Sequence, residues 1–279
     1  MKQNGSGEPG HALPAAPPGA AAVFGDRLPL AVRFAEILAD TGVTHGLIGP
    51  REVPRLWERH LLNCAVVADA FPADGRVIDV GSGAGLPGVA LAIVRPDLQV
   101  QLVEPMLRRT EWLSGVVAEL GLDAVSVHRG RAEELAGTLS APFVTARAVA
   151  RLDKLARWCV PLLEPAGTLV AMKGRSAAAE LAADRPALVE LGLADAVVRE
   201  HGGDLLEEPV LTVDLRFELR RPSGGRGNKG RRSTKTSTGR ADVARNRRSV
   251  PRVTKAVRDD AEDVTEPDVT TSPVEPPGR

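Results

Sequence analysis

The sequence is short of cysteine, of long apolar runs and of net charge, and each shortage excludes a class of protein. Its two cysteines, Cys64 and Cys159, stand far apart with no CxxC pair, so the pattern predicts neither a disulfide framework nor a zinc site or other metal centre. No stretch of about 18 apolar residues occurs, and the chain does not begin with a basic segment followed by an apolar one. We therefore expect a cytoplasmic protein that does not associate with membranes.

The zero net charge is the sum of three segments that differ in character. The whole chain carries 36 basic and 36 acidic residues, which taken alone excludes a uniformly basic nucleic-acid binder. Residues 1–220 carry 22 basic and 28 acidic side chains, residues 221–258 carry 13 and 1, and residues 259–279 carry 1 and 7. Asymmetry of this kind is typical of charged tails that contact nucleic acid, and only the first segment is able to build a core.

Composition divides the chain further. Residues 1–25 are rich in Pro, Gly and Ala, and we expect a flexible leader because ordering them would not offset the lost conformational entropy. Apolar residues at helical spacing predict a small N-terminal helical subdomain over residues 26–70, and an α/β domain follows over residues 71–220. Large apolar residues nearly vanish after Arg220, which predicts a disordered tail, basic over 221–258 and acidic over 259–279.

From Arg76 onward, apolar runs of strand length alternate with amphipathic helical patterns. Two of these helical patterns span residues 106–120 and 151–163. This alternation predicts an α/β fold with a mainly parallel sheet that helices cover on both faces. No helical pattern separates the last two runs, which are therefore candidates for an antiparallel hairpin. The predicted strands span residues 76–80, 98–103, 124–128, 142–148, 168–173, 194–200 and 211–219.

The strongest local signal is the glycine-rich segment VIDVGSGAGLPGVAL over residues 77–91. A buried strand ends there, and Gly81, Gly83 and Gly85 turn the chain tightly so that a ligand can lie against the backbone. Pro87 suits the first turn of the following helix. The segment belongs to the carboxyl edge of the sheet, which is the usual ligand crevice of open α/β folds.

Three interpretations of this loop remain open. Residues 83–88 match GxGxxG, and Glu104, about 20 residues on, is placed to bind a ribose hydroxyl of a dinucleotide. Pro87 removes a backbone donor where a pyrophosphate would sit, however, and Asp79 adds a carboxylate that repels a polyanion. A cationic ligand without phosphate, S-adenosylmethionine, fits better. The third interpretation is a glycine turn that binds nothing.

The sequence resembles a known family, the ribosomal RNA small subunit methyltransferase G family, also called glucose-inhibited division protein B. The resemblance covers about residues 28–219. It implies a Rossmann-like class I S-adenosylmethionine-dependent methyltransferase fold and transfer of a methyl group to N7 of a guanine in 16S ribosomal RNA. The motifs that carry it are ERHLLN (58–63), VIDVGSGAGLPGVALAIVRPD (77–97), GRAEEL (130–135), ARAVARLDKL (146–155) and MKG (172–174).

The family's cofactor contacts can be carried over by motif. They fall on Gly81 and Leu86 in the loop, Ala132 and Glu133 after the third strand, and Arg147 at the end of the fourth. Arg147 is then either a functional residue or a salt-bridge partner that covers the sheet edge. The functional interpretation is favoured, through hydrogen bonds to phosphate or to a guanine edge, or by fixing Glu133.

Guanine N7 has a free lone pair and no proton to remove, so the chemistry implied by the resemblance needs no general base, and positioning can supply the catalysis. The sequence agrees by omission, since it has neither [DN]PP[YFW] after the fourth strand nor a Pro-Cys pair. Lys173 is a candidate for RNA phosphate or a solvated lysine, and His60 is expected to be a hydrogen-bonded structural residue. The cysteines, and Trp57, Trp112 and Trp158, are expected to be packed in the core.

The expected partner is 16S ribosomal RNA or the small ribosomal subunit, bound by a monomer. Two rivals remain: a methyltransferase of the same fold that acts on a small molecule or protein, and a non-catalytic RNA-binding or assembly factor. The acidic body favours the first rival, because RNA is bound largely by neutralising phosphates. The basic segment 221–258 is either an arm that attracts RNA or an extension without a role.

Overall fold

The computed structural model describes residues 12–147 and 150–218, at whose centre lies one seven-stranded sheet. All seven predicted strands are present, and all but the fifth lie close to the predicted bounds. Their runs are rich in Val and Leu, and the first strand is buried on both faces, as expected for a central strand, whereas the two edge strands, 125–129 and 193–201, are only partly buried. The strands are β1 (Arg76–Val80), β2 (Gln99–Glu104), β3 (Val125–Arg129), β4 (Ala141–Arg147), β5 (Leu163–Lys173), β6 (Leu193–His201) and β7 (Val210–Phe217).

The spatial order of the strands is β3-β2-β1-β4-β5-β7-β6. Strands β1 to β5 are parallel, whereas β7 pairs antiparallel with both β5 and β6, so the predicted hairpin is confirmed. Val80 is paired with Val103, and Arg147 with Met172. The carboxyl ends of β1, β2, β4 and β5 therefore meet at the same edge of the sheet.

Strand β5 begins at Leu163, five residues before the predicted start, and the helix predicted over 151–163 ends at Cys159. Leu163 pairs with Ala141, and after a register shift the ladder resumes at Phe143 and Thr168. The extra residues form a bulge in which Ala166 adopts a φ of +62°. Helical periodicity does not reveal such an irregularity, because it depends on the neighbouring strand.

Eight α-helices are found among the described residues, on both faces of the sheet. Two π-helical segments, Leu38–Gly42 and Leu56–Leu62, and 3₁₀ turns at Gly25–Arg27, Pro50–Arg55, Val66–Ala70 and Val160–Leu162 extend them. The α-helices are α1 (Pro18–Phe24), α2 (Leu28–Ile37), α3 (Asn63–Ala65), α4 (Gly88–Val94), α5 (Leu107–Glu119), α6 (Ala132–Leu135), α7 (Leu152–Cys159) and α8 (Ala177–Glu190). None of these helices is both long and apolar enough to cross a membrane.

The flexible leader predicted over residues 1–25 is wrong for its second half. Helix α1 buries Ala20 and Phe24, and the Phe24 ring meets the Trp57 ring edge to face with 6.5 Å between centroids. The Trp57 indole Nε1 also donates to the Pro14 carbonyl, at 3.1 Å. A low apolar content suggested disorder, but Ala20 and Phe24 belong to the main apolar cluster, and the buried aromatic partner of Phe24 helps to dock this short helix. Residues 1–11 lie outside the described part of the chain.

The helices of residues 26–70 pack in the same apolar cluster as α1, α4, α5 and one face of the sheet. Residues 12–70 therefore do not enclose a core of their own, and the division into a helical subdomain and an α/β domain stays a prediction. A second cluster fills the opposite face of the sheet, between the strands and α7 and α8. The tail predicted over residues 221–279 lies outside the described residues.

Candidate active site

The glycine loop, defined here as residues 81–87, joins β1 to α4 at the carboxyl edge of the sheet. The Gly81 and Ser82 amides both donate to the Val103 carbonyl at the end of β2, at 2.9 and 3.1 Å. Gly83 has a φ of +52°, and a Cβ added there would meet only the Gly81 carbonyl oxygen, at 3.7 Å. The backbone at Gly83 thus adopts the left-handed conformation and has open space on its Cβ side, as a ligand-binding turn requires.

Gly88 has a different task, although it belongs to the same motif. A Cβ at this position would stand 2.3 Å from Leu102 Cδ2 and 2.7 Å from Asp79 Oδ2. The residue therefore allows α4 to pack directly on the sheet rather than facing a ligand. Its amide donates to Asp79 Oδ2 at 3.0 Å. That donor is no longer available to a pyrophosphate at the start of α4, which weakens the dinucleotide interpretation.

Glu104 ends β2 and is brought beside the glycine loop, as the sequence predicted. Its carboxylate is 2% exposed and accepts two backbone hydrogen bonds, from Gly83 at 3.2 Å and from Met106 at 3.0 Å. The Arg109 guanidinium lies 3.8 Å from the same carboxylate. An ionised carboxylate has about four lone-pair sites, so Glu104 retains acceptor capacity for a ligand hydroxyl.

Asp79, on β1, is the second acidic residue at this edge and is fully buried. Its Oδ1 has no hydrogen-bond partner among the described residues. The pKa of Asp79 is raised to about 7, mainly by burial and in smaller part by the nearby Glu104 charge, against the lowering effect of the Gly88 amide. An unpartnered buried acceptor is costly, and a cationic ligand at the glycine loop would relieve that cost. The sequence indicated Asp79 as a carboxylate that repels a polyanion and favours a cation, but Asp79 was not among the predicted cofactor-binding residues.

Arg147 ends β4, and its guanidinium is fixed by the helical segment of the ERHLLN motif. Its Nη2 donates to the Arg59 carbonyl at 2.8 Å and lies 2.9 Å from His60 Nδ1, while its Nη1 is 3.1 Å from Cys64 Sγ. It makes no hydrogen bond to Glu133 within the described part of the chain, and the suggestion that it fixes Glu133 stays a prediction. Arg147 instead joins the sheet edge to the residues before β1.

His60 completes this network as a structural residue, as predicted. Its Nε2 lies 2.9 Å from Glu52 Oε2. Burial lowers the pKa of His60, and the Arg147 charge lowers it further. The ring is therefore neutral, with Nδ1 accepting from Arg147 and Nε2–H donating to Glu52. Sequence analysis missed Glu52, because only the folded chain brings it next to His60.

The remaining predicted cofactor residues lie around the same edge. Leu86 is 9% exposed in the glycine loop, Ala132 is buried at the start of α6, and Glu133 beside it is exposed. The Gly130 amide donates to the Glu104 carbonyl at 3.2 Å, which fixes the chain before α6 against the end of β2. The start of α6, with Ala132, is thus held near the acidic edge, which we define as Asp79 and Glu104. Contacts of Leu86, Ala132 and Glu133 with a cofactor stay a prediction.

Lys173, at the end of β5, occupies neither of its two predicted environments. Its side chain is 10% exposed, and Nζ lies 2.9 Å from Glu180 Oε1 and donates to the Ala150 carbonyl at 2.8 Å. Glu180 also accepts from the Leu152 amide, at 2.6 Å. Lys173 therefore ties β5 to α7 and α8 and is not available to RNA phosphate.

The cysteines and tryptophans largely match their predicted packing roles. Cys64 and Cys159 are buried and form no disulfide, and Trp57 and Trp112 are buried as well. Trp158 is half-buried, and the Lys154 Nζ lies 5.0 Å from the centre of its ring. Burial raises the pKa of both thiols, so neither is activated as a nucleophile. No group of three metal-ligating side chains occurs in the described ranges.

Comparison with known proteins identifies the family. The sequence model described as rRNA small subunit methyltransferase G matches residues 27–204. The "Ribosomal RNA small subunit methyltransferase G" of Streptomyces avermitilis is 53% identical over 229 residues, covering 82% of this chain and 95% of that protein. The protein of the same name from Thermobifida fusca is 58% identical over 193 residues, covering 68% and 80%.

Solved structures agree on the fold. The S-adenosylmethionine-dependent methyltransferase SibL, in its apo form, superposes with a TM-score of 0.50 at 19% identity, over 72% of this chain and 70% of that one. At this identity the likeness shows the class I methyltransferase fold alone. The family match over more than half of the sequence, together with relatives that are more than 50% identical, shows that this chain belongs to the ribosomal RNA small subunit methyltransferase G family.

Proposed function

We propose that this protein transfers a methyl group from S-adenosylmethionine to N7 of a specific guanine in 16S ribosomal RNA. Its family makes it an S-adenosylmethionine-dependent ribosomal RNA methyltransferase, and the choice of the N7 atom is the finer part of the proposal. The structural observation that carries it is the acidic edge at the glycine loop, where Asp79 Oδ1 has no hydrogen-bond partner in the described part of the chain and Glu104 accepts from the Gly83 amide.

The residues at this edge fit the cofactor. S-adenosylmethionine carries a sulfonium and an ammonium but no phosphate, and when bound it supplies an electrophilic methyl group. Asp79 and Glu104 favour a cation, Glu104 has lone pairs left for a ribose diol, and the open side of Gly83 admits a ligand against the backbone. The proposed cofactor-binding residues are Gly81, Gly83, Leu86, Glu104, Ala132, Glu133 and Arg147.

The side chains near the end of β4 support a reaction that needs positioning rather than proton removal. Both His60 nitrogens are engaged, one by Arg147 and one by Glu52, so His60 is not available as a general base. Guanine N7 needs none. Holding N7 in line with the methyl group and sulfur can contribute several powers of ten to the rate, roughly 10⁵ or more in favourable cases, and we assign Arg147 to this positioning.

The proposal extends to the partner and the setting of the reaction. We propose that a cytoplasmic monomer acts on 16S ribosomal RNA, or on the small subunit, without a metal. Residues 221–258, with 13 basic and 1 acidic side chain, would then add salt-dependent attraction to RNA phosphates, and the acidic residues 259–279 would compete for the same arm. A role as a non-catalytic assembly factor predicts cofactor binding without turnover.

The proposal is tested by label transfer from S-adenosylmethionine to naked 16S ribosomal RNA, to small subunits and to total protein. We expect label in RNA, at one guanine that chemical cleavage at 7-methylguanine reveals. Label in protein alone would support the small-molecule or protein rival, and cofactor binding without transfer to any RNA would refute the enzymatic proposal. Label without cleavage would refute the N7 assignment.

The cofactor site has its own control pair, Gly83→Asp and Gly83→Asn. Both side chains tolerate the left-handed backbone, and both fill the open space at Gly83, so both should weaken S-adenosylmethionine binding. Gly83→Asn should weaken it at least as much as Gly83→Asp, because the two side chains add the same bulk, and only the aspartate adds a charge that attracts a cationic cofactor, beside the Glu104 carboxylate, which lies 3.2 Å from the Gly83 amide. Calorimetric affinity equal to wild type in both variants would contradict the placement of the site.

A further inference from the structure

A large cleft lies beside Arg147 and is not used by the proposed cofactor site. Its volume is about 1060 Å³, and its lining comes from residues 55–63, residues 173–175, and β6 with the connection to β7. The Arg59 carbonyl accepts a hydrogen bond from Arg147 Nη2, while the Arg59 side chain lines the cleft. One end of the cleft is therefore next to the residue that we assign to positioning the substrate.

Two of the lining arginines carry charges that the described protein does not neutralise by ion pairs. Arg55 and Arg59 are exposed and four residues apart on consecutive helical turns, and neither forms a salt bridge with the described residues. Exposed guanidinium groups that share a cleft are suited to phosphate oxygens, which they bind through paired N–H donors. Glu58 is the one carboxylate among residues 55–63, and Glu52, just before them, is paired with His60.

The cleft also contains carboxylates, which come mainly from another part of the chain. Glu200 belongs to β6, and Glu207 and Glu208 to the connection between β6 and β7. Glu208 pairs with Arg175, but both side chains are largely exposed, at 69% and 85%. An exposed pair of this kind is weak, so a phosphate can replace the Glu208 carboxylate on Arg175.

A single-stranded RNA matches a cleft with both signs of charge better than a duplex does. Its phosphates accept hydrogen bonds from guanidinium groups, while its unpaired bases expose N–H donors, which carboxylates accept. In a duplex those base donors are already paired. The surface is thus not a uniform basic patch, which agrees with the net acidic composition of residues 1–220.

We propose that this cleft holds the single-stranded RNA segment that carries the target guanine, with Arg55 and Arg59 on its phosphates. Binding of RNA displaces Glu208 from Arg175, so that in the complex Arg175 joins Arg55 and Arg59 on the phosphates. The proposal rests on the proposed function, since it assigns the path by which that substrate reaches the site beside Arg147.

The test measures binding of a single-stranded RNA oligonucleotide from the methylated region to the full chain at several salt concentrations. Arg55→Ala/Arg59→Ala should raise the Kd about tenfold or more, and the slope of log K against log salt should fall by about 0.7 per lost phosphate contact. Glu208→Gln should bind about two- to fivefold tighter than wild type, because Arg175 is released. Arg185→Glu, an exposed residue outside the cleft, controls for net charge.

Each outcome bears on the cleft separately from the function. Wild-type affinity and salt slope in Arg55→Ala/Arg59→Ala would overturn the proposal, even where wild-type protein methylates ribosomal RNA. An equal loss in Arg185→Glu would show nonspecific attraction and would also overturn it. Weaker binding in Glu208→Gln would refute the exchange at Arg175. Calorimetric affinity for S-adenosylmethionine should stay at the wild-type value in the double variant, which confirms that it is folded.

Discussion

Gly88 is the point at which α4 approaches the sheet most closely, and it allows a sharp prediction. In Gly88→Ala the new Cβ would stand 2.3 Å from Leu102 Cδ2 and 2.7 Å from Asp79 Oδ2, and both side chains are fully buried. Carbon atoms in contact prefer about 3.5–4.0 Å, so α4 or Leu102 must move by more than an ångström. The displacement also strains the hydrogen bond from the Gly88 amide to Asp79.

The magnitude follows from two opposing effects. Inserting a methyl group into a packed core costs about 1–3 kcal/mol, whereas alanine is a better helix former than glycine by about 0.5–1 kcal/mol. Gly115, in the exposed interior of α5, is the matched control, because its Cβ would meet no atom within 4 Å. Gly88→Ala should thus destabilise the fold and Gly115→Ala should stabilise it slightly. The two variants should differ by about 1–3 kcal/mol, or about 2–12 °C in Tm.

Urea unfolding followed by far-UV circular dichroism measures both free energies, and calorimetry measures the affinity for S-adenosylmethionine. Affinity should fall in Gly88→Ala, which disturbs Asp79, and stay unchanged in Gly115→Ala. Adding Leu102→Val to Gly88→Ala should cost less than the sum of the single variants, because it removes part of the collision. A Gly88→Ala protein as stable as wild type would refute the reasoning that this glycine is fixed by helix packing.

Three further predictions concern charge. Burial raises the pKa of Asp79 to about 7, so its protonated form stabilises the fold below about pH 4, and this contribution is lost as the pH rises through 7. The unfolding free energy of wild type should therefore fall between pH 4 and 7 relative to Asp79→Asn, and a rise would contradict the assignment. Arg147→Ala should lower the initial rate of methyl transfer about 100-fold or more, with a smaller loss of stability in urea unfolding. Arg147→Lys should restore little of the rate, since lysine lacks the planar guanidinium. Equal losses of stability and transfer would make Arg147 merely structural. Removal of residues 221–279 should weaken RNA binding at low salt and flatten its salt dependence; an unchanged slope would show that the arm takes no part.

Features that depend on local pattern could be predicted from the amino-acid sequence. Strand-length apolar runs predicted the seven strands, and the spacing of Asp79, Gly83 and Glu104 predicted an acidic edge at a glycine turn. These features are readable because a parallel sheet brings the carboxyl ends of its strands to one edge, whatever the detail of the packing. The motifs that carry the family resemblance are equally local, and comparison with known proteins confirmed the family.

The pairing of side chains from distant positions could not be predicted and required the folded structure. Arg147 lies 87 residues from His60, with which it makes a hydrogen bond, and Glu52 joins them across a further turn. The sequence left Lys173 open to phosphate or solvent, but the fold brings Glu180 of α8 beside it. The composition of residues 18–24 predicted disorder, but the fold packs Phe24 against Trp57. Composition and periodicity report the average environment of a residue, so they predict strands, helices and turns. The burial and pairing of a particular side chain depend on partners that the fold brings from distant positions, so they could not be predicted from local pattern.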